Sequence, residues 1–216
     1  MKVRHTLIAA ALAAGAGSAS ALTTWTDWTA STSSTAVGSL GSTTVDFSGP
    51  VYFVQTGAAA ETDYWTSGVP DPYSVTGRPT GTDLVAIEGG EDSRFTLTFS
   101  QAVVDPFFAG LSLGQPGGYL VTYEFDATPT FISSGQGYWG GCADCLKVSG
   151  NNVIGEEGHG VVQFKGSFTS ISWTSPVAET WHGFQVGVNA VPEPETYALM
   201  LAGLGAVGFL ARRRRH

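Results

Sequence analysis

Two short acidic stretches come closest, by residue type, to a catalytic or metal-binding arrangement. They occupy the glycine-rich segments 88–92 and 156–159, and the second also contains His159. Flexible carboxylate oxygens are the ligands that calcium prefers, so both segments are candidates for a structural calcium ion. Paired carboxylates also act as acid and nucleophile in glycoside hydrolases. Neither segment has the EF-hand spacing, and we therefore expect solvated loop charges and no cofactor.

Cys142 and Cys145 are the only cysteines of the chain. In an oxidising compartment, two thiols this close together most simply form one disulfide. A redox role would place Cys142 at the start of a helix, but glycines precede the pair and the strand-like segment 146–148 follows it. A zinc site would need further ligands, and the sequence contains no second Cys-x-x-Cys motif and no closely spaced histidine pair. We predict a disulfide and no metal site.

Tyr138 and Trp139 form an aromatic pair in a glycine-rich loop beside the cysteines. Because exposed aromatic rings stack on the faces of sugars, we predict that Trp139 contacts a glycan. The chain has six tryptophans, and the alternative is that most of them fill the protein core. Trp173, which alternates in phase with Ile171, fits that alternative.

The charge of the central part of the chain argues against anionic partners. Residues 22–190 hold 16 acidic and four basic residues, hence a net charge of −12. Such a surface repels nucleic acid and anionic lipid, whereas it suits cations, neutral glycans or solubility alone. The sequence also lacks the His-Glu-x-x-His pattern of zinc proteases and a phosphate-binding glycine loop. We therefore expect a protein that is not an enzyme and binds no nucleic acid.

The elements that must position these residues are short strands. Hydrophobic residues at alternate positions predict strands with one buried face at 95–99, 121–125, 169–173 and 184–188. Further strands are predicted, between turns rich in Gly, Pro and Asn, at 44–47, 51–55, 84–87, 107–113, 131–133 and 160–164. Residues 22–41 are either an edge strand or a lead-in segment. The pattern predicts an all-β fold, an antiparallel β-sandwich of jelly-roll-like type.

The N-terminus has the features of an export signal. Lys2 and Arg4 precede the apolar run 7–16, and small residues follow at 19–21. This order predicts a signal peptide of residues 1–21 that signal peptidase removes. The exported domain is then residues 22–190.

The C-terminal residues 191–216 contain three successive parts. Pro192, Glu193 and Pro194 form an extended acidic hinge, and the apolar stretch 198–211 follows it. We predict one transmembrane helix here, shorter than the bilayer core and extended by interfacial side chains at both ends. Four cationic residues then end the span and keep the C-terminus cytoplasmic. These membrane-stop residues are Arg212, Arg213, Arg214 and Arg215.

This order of hinge, apolar span and arginine cluster closely resembles the PEP-CTERM sorting tail, which is also catalogued as the C-terminal region of ice-binding proteins. The resemblance implies processing by exosortase, an integral-membrane enzyme of Gram-negative bacteria that make exopolysaccharide. It implies export across the inner membrane, transient membrane anchoring, and then a place at the cell surface or in the extracellular matrix of a biofilm. We expect a non-catalytic surface or exopolysaccharide-matrix protein with weak glycan or calcium binding. The alternative is a secreted hydrolase that acts on matrix polysaccharide.

Overall fold

The computed structural model describes residues 23–190, 200–205, 207 and 212. The predicted signal peptide, the Pro192-Glu193-Pro194 hinge and Arg213 to Arg215 lie outside the described residues. Residues 200–205 are helical, and in the described part of the chain no helix has the length and apolar character needed to cross a membrane.

The strands are β1 Thr23–Trp25, β2 Asp27–Ser31, β3 Thr35–Leu40, β4 Thr43–Ser48, β5 Phe53–Gln55, β6 Leu84–Ile87, β7 Arg94–Val104, β8 Phe107–Leu113, β9 Val121–Phe125, β10 Pro129–Gly135, β11 Leu146–Ser149, β12 Asn152–Gly155, β13 Gly158–Phe164, β14 Ser167–Thr174 and β15 His182–Asn189.

These strands form two antiparallel sheets. The seven-stranded sheet has the order β10-β13-β8-β15-β6-β5, and β1 also pairs with β15. The eight-stranded sheet has the order β11-β12-β9-β14-β7-β4-β3-β2. From β7 onward the chain passes from one sheet to the other at nearly every connection. The prediction of an all-β, two-sheet architecture is therefore confirmed, and the finer jelly-roll-like topology stays a prediction.

The inner core lies between the two sheets and is rich in aromatic rings. Phe108 and Phe184 of the seven-stranded sheet stack on each other at 5.1 Å between ring centroids. Trp173 of β14 contacts both rings edge to face, and it also lies against Phe95. The alternation that predicted β7 and β9 is the alternation of side chains between this core and the opposite, outward face. In β14 it holds for Ile171 and Trp173, whereas Thr169, predicted on the same face, is exposed at the register shift between Phe168 and Ser170. Trp173 is fully buried, as the sequence pattern indicated.

A second core covers the outer face of the seven-stranded sheet. Trp65 and Tyr73, from the long connection between β5 and β6, pack there against Leu84, Phe107 and Leu111. This cover explains why β6, β8 and β13 are buried along their whole length. It also corrects the prediction that 184–188 is a strand with one buried face, because β15 is buried on both sides from His182 to Gly187.

The segment 22–41 contributes more structure than an edge strand or a lead-in. Within it, β1 pairs with β15 in the seven-stranded sheet, whereas β2 and β3 extend the eight-stranded sheet. In the register of the first pair, Thr23 lies opposite Asn189. The first and last strands of the described body are therefore neighbours in one sheet.

Candidate functional site

The predicted glycan contact lies at the tip of a tight turn between β10 and β11. Gly137 and Gly140 exchange two backbone hydrogen bonds, with N···O distances of 2.7 and 3.2 Å. Tyr138 and Trp139 occupy the two positions between them, and these residues are 45% and 43% exposed. We call residues 137–140 the aromatic turn.

A disulfide between Cys142 and Cys145 closes the loop that follows the aromatic turn, as predicted. The backbone N–H of Cys145 also donates to the carbonyl of Cys142. Ser134 of β10 connects this loop to the sheet, because its Oγ accepts from the Leu146 N–H and donates to the Cys142 carbonyl, both at 3.3 Å. The loop is therefore fixed to the strands on both sides of the aromatic turn.

Trp139 belongs to a group of five rings that we call the aromatic cluster: Phe53, Tyr64, Tyr138, Trp139 and Trp181. The Trp139 ring stacks on Tyr64 at 5.1 Å between centroids, with 24° between the ring planes. Trp181 meets Trp139 edge to face at 5.1 Å, and Tyr138 meets it at 4.7 Å. One face of Trp139 is therefore covered by Tyr64, and the ring is held in place by its neighbours.

The aromatic turn separates two open pockets. The first pocket, of about 240 Å³, is lined by Ser112, Gln115, Trp139, Glu179, Thr180 and Trp181. The second pocket, of about 360 Å³, is lined by Thr66, Ser67, Gly68, Gln136, Gly137, Tyr138 and Gly140. Hydroxyl and amide groups occur in both linings, the first pocket is also lined by the rings of Trp139 and Trp181, and Glu179 is the one charged side chain that either lining contains.

A buried hydrogen-bond network lies directly behind the aromatic turn. Ser112 Oγ donates to Glu157 Oε1 at 2.7 Å, and His159 Nε2 lies 3.0 Å from the same oxygen. The Ser112 backbone N–H donates to His159 Nδ1 at 3.3 Å, which leaves the proton of a neutral imidazole on Nε2. A Cβ atom on Gly137 would overlap with the His159 ring, so the turn rests on this imidazole. The network therefore supports the backbone that carries Tyr138 and Trp139.

Ser112 is a site residue that sequence reasoning missed. It is the central residue of Gly110-Leu111-Ser112-Leu113-Gly114, a Gly-x-Ser-x-Gly pattern, and its φ of +55° lies in the left-handed region. It sits in a β-bulge, because two residues of β8, Leu111 and Ser112, oppose the single residue His159 of β13. In α/β-hydrolases this pattern forms a strand-to-helix elbow with the serine close to a histidine. Here the serine hydroxyl bonds to a carboxylate within a sheet.

A second carboxylate–imidazole pair lies at the first pocket. The Glu179 side chain is only 2% exposed, and its Oε2 accepts from the Gly114 N–H at 2.6 Å. His182 Nδ1 lies 3.3 Å from the same oxygen but is not aligned for a hydrogen bond. Burial raises the pKa of the Tyr123 hydroxyl well above its ordinary value, and the Glu179 charge adds to the effect. Tyr123, which packs edge to face on His182, therefore remains a neutral phenol.

The two acidic stretches differ in their exposure to solvent. Glu88, Glu91 and Asp92 are exposed, as expected of solvated loop charges. The same expectation is wrong for Glu157 and His159, because Glu157 in the turn before β13 and His159 within β13 are both buried, where they share hydrogen bonds with each other and with Ser112. In the described part of the chain, no three His, Cys, Asp or Glu side chains are grouped to hold a metal ion.

The sequence contained no signal that would join the rings of the aromatic cluster. Tyr64 comes from the connection between β5 and β6, Trp139 from the turn after β10, and Trp181 from the residue before β15. Long-range folding alone brings them together. Sequence reasoning identified Trp139 because of its glycine-rich surroundings, but it assigned no role to Tyr64 or Trp181.

Comparison with known proteins identifies the C-terminal segment of the chain. No curated protein and no solved structure is significantly similar to this chain. Residues 190–215 match the family model of the PEP-CTERM protein-sorting motif. Such a motif implies export, transient membrane anchoring, and processing by exosortase, a membrane enzyme, before surface or extracellular release. The chain therefore carries a PEP-CTERM protein-sorting motif directly after β15.

Proposed function

We propose that this chain is an exported, non-catalytic protein of the cell surface or exopolysaccharide matrix of a Gram-negative bacterium, and that its body binds glycan through the aromatic cluster. The observation that carries the glycan assignment is the exposed Trp139 ring, fixed by Tyr64 and Trp181 at the edge of the first pocket, which has both polar and aromatic walls. A preorganised ring loses little conformational entropy when it stacks on a sugar. Stacking on one ring stabilises a complex by about 1–3 kcal/mol, by analogy with nucleic-acid bases. Single-site affinity is therefore weak, and retention on a matrix depends on many copies.

The ends of the body support the proposed sorting route. In this route, signal peptidase cuts before Leu22, one residue ahead of β1, and the apolar stretch 198–211 spans the membrane as a helix. Because β15 ends at Asn189, only Ala190 and Val191 separate the sheet from Pro192. The three Cα–Cα steps from Asn189 to Pro192 span at most about 11 Å, so the processing enzyme meets the hinge close to the folded body.

Glycan binding is tested by retention of the exported protein on the exopolysaccharide of the producing cells. Trp139→Ala should reduce retention by about tenfold or more, because it removes the stacking ring. Phe131→Ala is the matched control, since Phe131 is also exposed, at 45%, and lies outside the aromatic cluster. Equal retention of wild type and Trp139→Ala would refute the glycan assignment.

The sorting route is tested separately. Replacement of Pro192, Glu193 and Pro194 by alanines should leave the protein held in the inner membrane, and N-terminal sequencing of released wild type should begin at Leu22. If the alanine variant is released like wild type, the hinge is not the processing signal. If released protein begins at Met1, the signal peptide assignment is wrong.

A second candidate function is a secreted hydrolase that acts on matrix polysaccharide. It is favoured by Ser112, whose Gly-x-Ser-x-Gly pattern and left-handed backbone lie at the first pocket next to Glu157 and His159. The hydrogen bonds oppose it, because the serine hydroxyl donates to the carboxylate and not to an imidazole nitrogen. Release of reducing ends or of ester-linked acids from the polysaccharide by wild type, and its loss in Ser112→Ala, would favour this candidate over the non-catalytic one.

A further inference from the structure

We propose that the two pockets on either side of the aromatic turn are subsites of one groove, and that the groove holds a neutral, unbranched oligosaccharide with the turn between two bound sugar units. This inference rests on the proposed glycan function and adds the class and the minimum length of the ligand.

The first argument is the geometry of the turn. Tyr138 lines one pocket and Trp139 lines the other, although the two residues are adjacent and their rings are in contact. A ligand that occupies both pockets must therefore pass over this ring pair. Small-molecule pockets commonly have volumes of about 300–1,000 Å³. With about 240 and 360 Å³, each pocket suits one small unit, and a chain of such units can fill both.

The second argument is the chemistry of the linings. Thr66, Ser67 and Gln136 in one pocket, and Gln115 and Thr180 in the other, offer hydroxyl and amide groups that both donate and accept hydrogen bonds. Sugar hydroxyls need the same mixture of donors and acceptors. The side chains of all five residues belong to loops, where they are exposed to solvent before a ligand binds.

The third argument is charge. Glu179 is the one charged group of the two linings, and the exported domain around it has a net charge of −12. No cation of either lining could compensate the carboxylate of a uronic acid or the sulfate of an anionic glycan. The charges therefore select neutral sugars against acidic sugars of the same size and linkage.

The proposal is tested by titrating the exported protein with oligosaccharide series of one to six units. Three neutral series, β-1,4-linked glucose, β-1,4-linked mannose and α-1,6-linked glucose, are compared with a uronic acid series of equal lengths. We expect the affinity for at least one neutral series to rise by about tenfold or more from one unit to three or four units and then to level off. The uronic acid series should bind at least about tenfold more weakly.

Two variants separate the pockets. Gln136→Ala changes only the second pocket and should lower the affinity for the long oligomers to that for the short ones. Trp139→Ala should weaken binding at every length, and Phe131→Ala should bind like wild type. Isothermal titration at two salt concentrations completes the test, because binding of a neutral ligand should change little with ionic strength.

The outcomes distinguish this inference from the proposed function. Binding that depends on Trp139 but not on chain length or Gln136 would overturn the two-subsite groove and leave glycan binding intact. Equal or tighter binding of the uronic acid series would overturn the neutral class. If none of the neutral series binds, both the groove and the proposed glycan function fail.

Discussion

The inner core and the aromatic cluster are two groups of aromatic rings built from the same residue types but held by different parts of the fold. Trp173 and Phe184 lie on strands in the middle of the sheets, and both are fully buried between them. Trp139 and Tyr64 lie on loops, and their group is open to solvent on one side. Rings on central strands therefore serve stability, whereas rings on loops fixed to a rigid sandwich are available for binding.

The two groups also differ in what fixes their geometry. In the inner core, backbone hydrogen bonds of the sheets position each ring, and neighbouring side chains fill the remaining space. In the aromatic cluster, a buried polar network and a disulfide support the turn that carries Tyr138 and Trp139, because this turn has no strand partner of its own. The other three rings of the cluster pack against the second core. Substitutions should therefore separate stability from binding, and four of them test this division in order of decreasing effect on stability.

The largest loss of stability is expected for Trp173→Ala. Truncation of a fully buried tryptophan removes its contacts with Phe95, Phe108 and Phe184 and leaves a large cavity. We expect the free energy of unfolding to fall by about 3–5 kcal/mol, measured by urea denaturation of the exported protein. A loss below about 1 kcal/mol would show that the inner core does not control the stability of the sandwich.

The next effect is expected at the buried network. Glu157→Ala leaves the Ser112 hydroxyl and the His159 Nε2–H without an acceptor, which should lower the free energy of unfolding by about 1–3 kcal/mol. It should also increase the mobility of the aromatic turn, measured by backbone hydrogen exchange at residues 137–140. Glu157→Gln is the matched control, because its amide oxygen can still accept both hydrogen bonds. If Glu157→Ala and Glu157→Gln lower the free energy of unfolding equally, the charge of Glu157 and not its hydrogen bonding stabilises the network.

A smaller effect is expected from the disulfide. The loop between Cys142 and Cys145 is very short, so the cross-link restricts the unfolded chain by no more than about 2 kcal/mol. Replacement of both residues by serine should mainly increase backbone hydrogen exchange at residues 137–148, with little change at β7 or β14. Increased exchange throughout the sheets would mean that the disulfide stabilises the whole body.

The smallest effect on stability is expected for Trp139→Ala, the variant with the largest effect on binding. Because nearly half of the ring is exposed, its removal should change the free energy of unfolding by less than about 1 kcal/mol. Thermal unfolding in the absence of glycan provides the measurement. A loss as large as that of Trp173→Ala would mean that the aromatic cluster is a second structural core and not a binding surface.

The local features of this protein could be read directly from the sequence. The disulfide joins residues only three positions apart, and the sorting motif is a linear signal. The strands β7, β9 and β14 follow from period-2 alternation, because the inward face of each strand is covered by the opposite sheet. In all of these cases the determining contacts lie within one short segment or repeat along it.

The burial of β15 and the contacts between distant side chains were decided only by the tertiary structure. Alternation along β15 could not reveal that its other face is also covered. Trp65 and Tyr73 contribute to the cover of this sheet, and both lie in a distant connection without regular structure. The pairing of Glu157 with Ser112, and of Trp139 with Tyr64, likewise joins segments 45 or more positions apart. The sequence by itself determined most of the strands, the disulfide and the sorting tail. The fold decided which distant aromatic rings meet in the inner core and which meet in the aromatic cluster, because those contacts depend on long-range packing that no local pattern records.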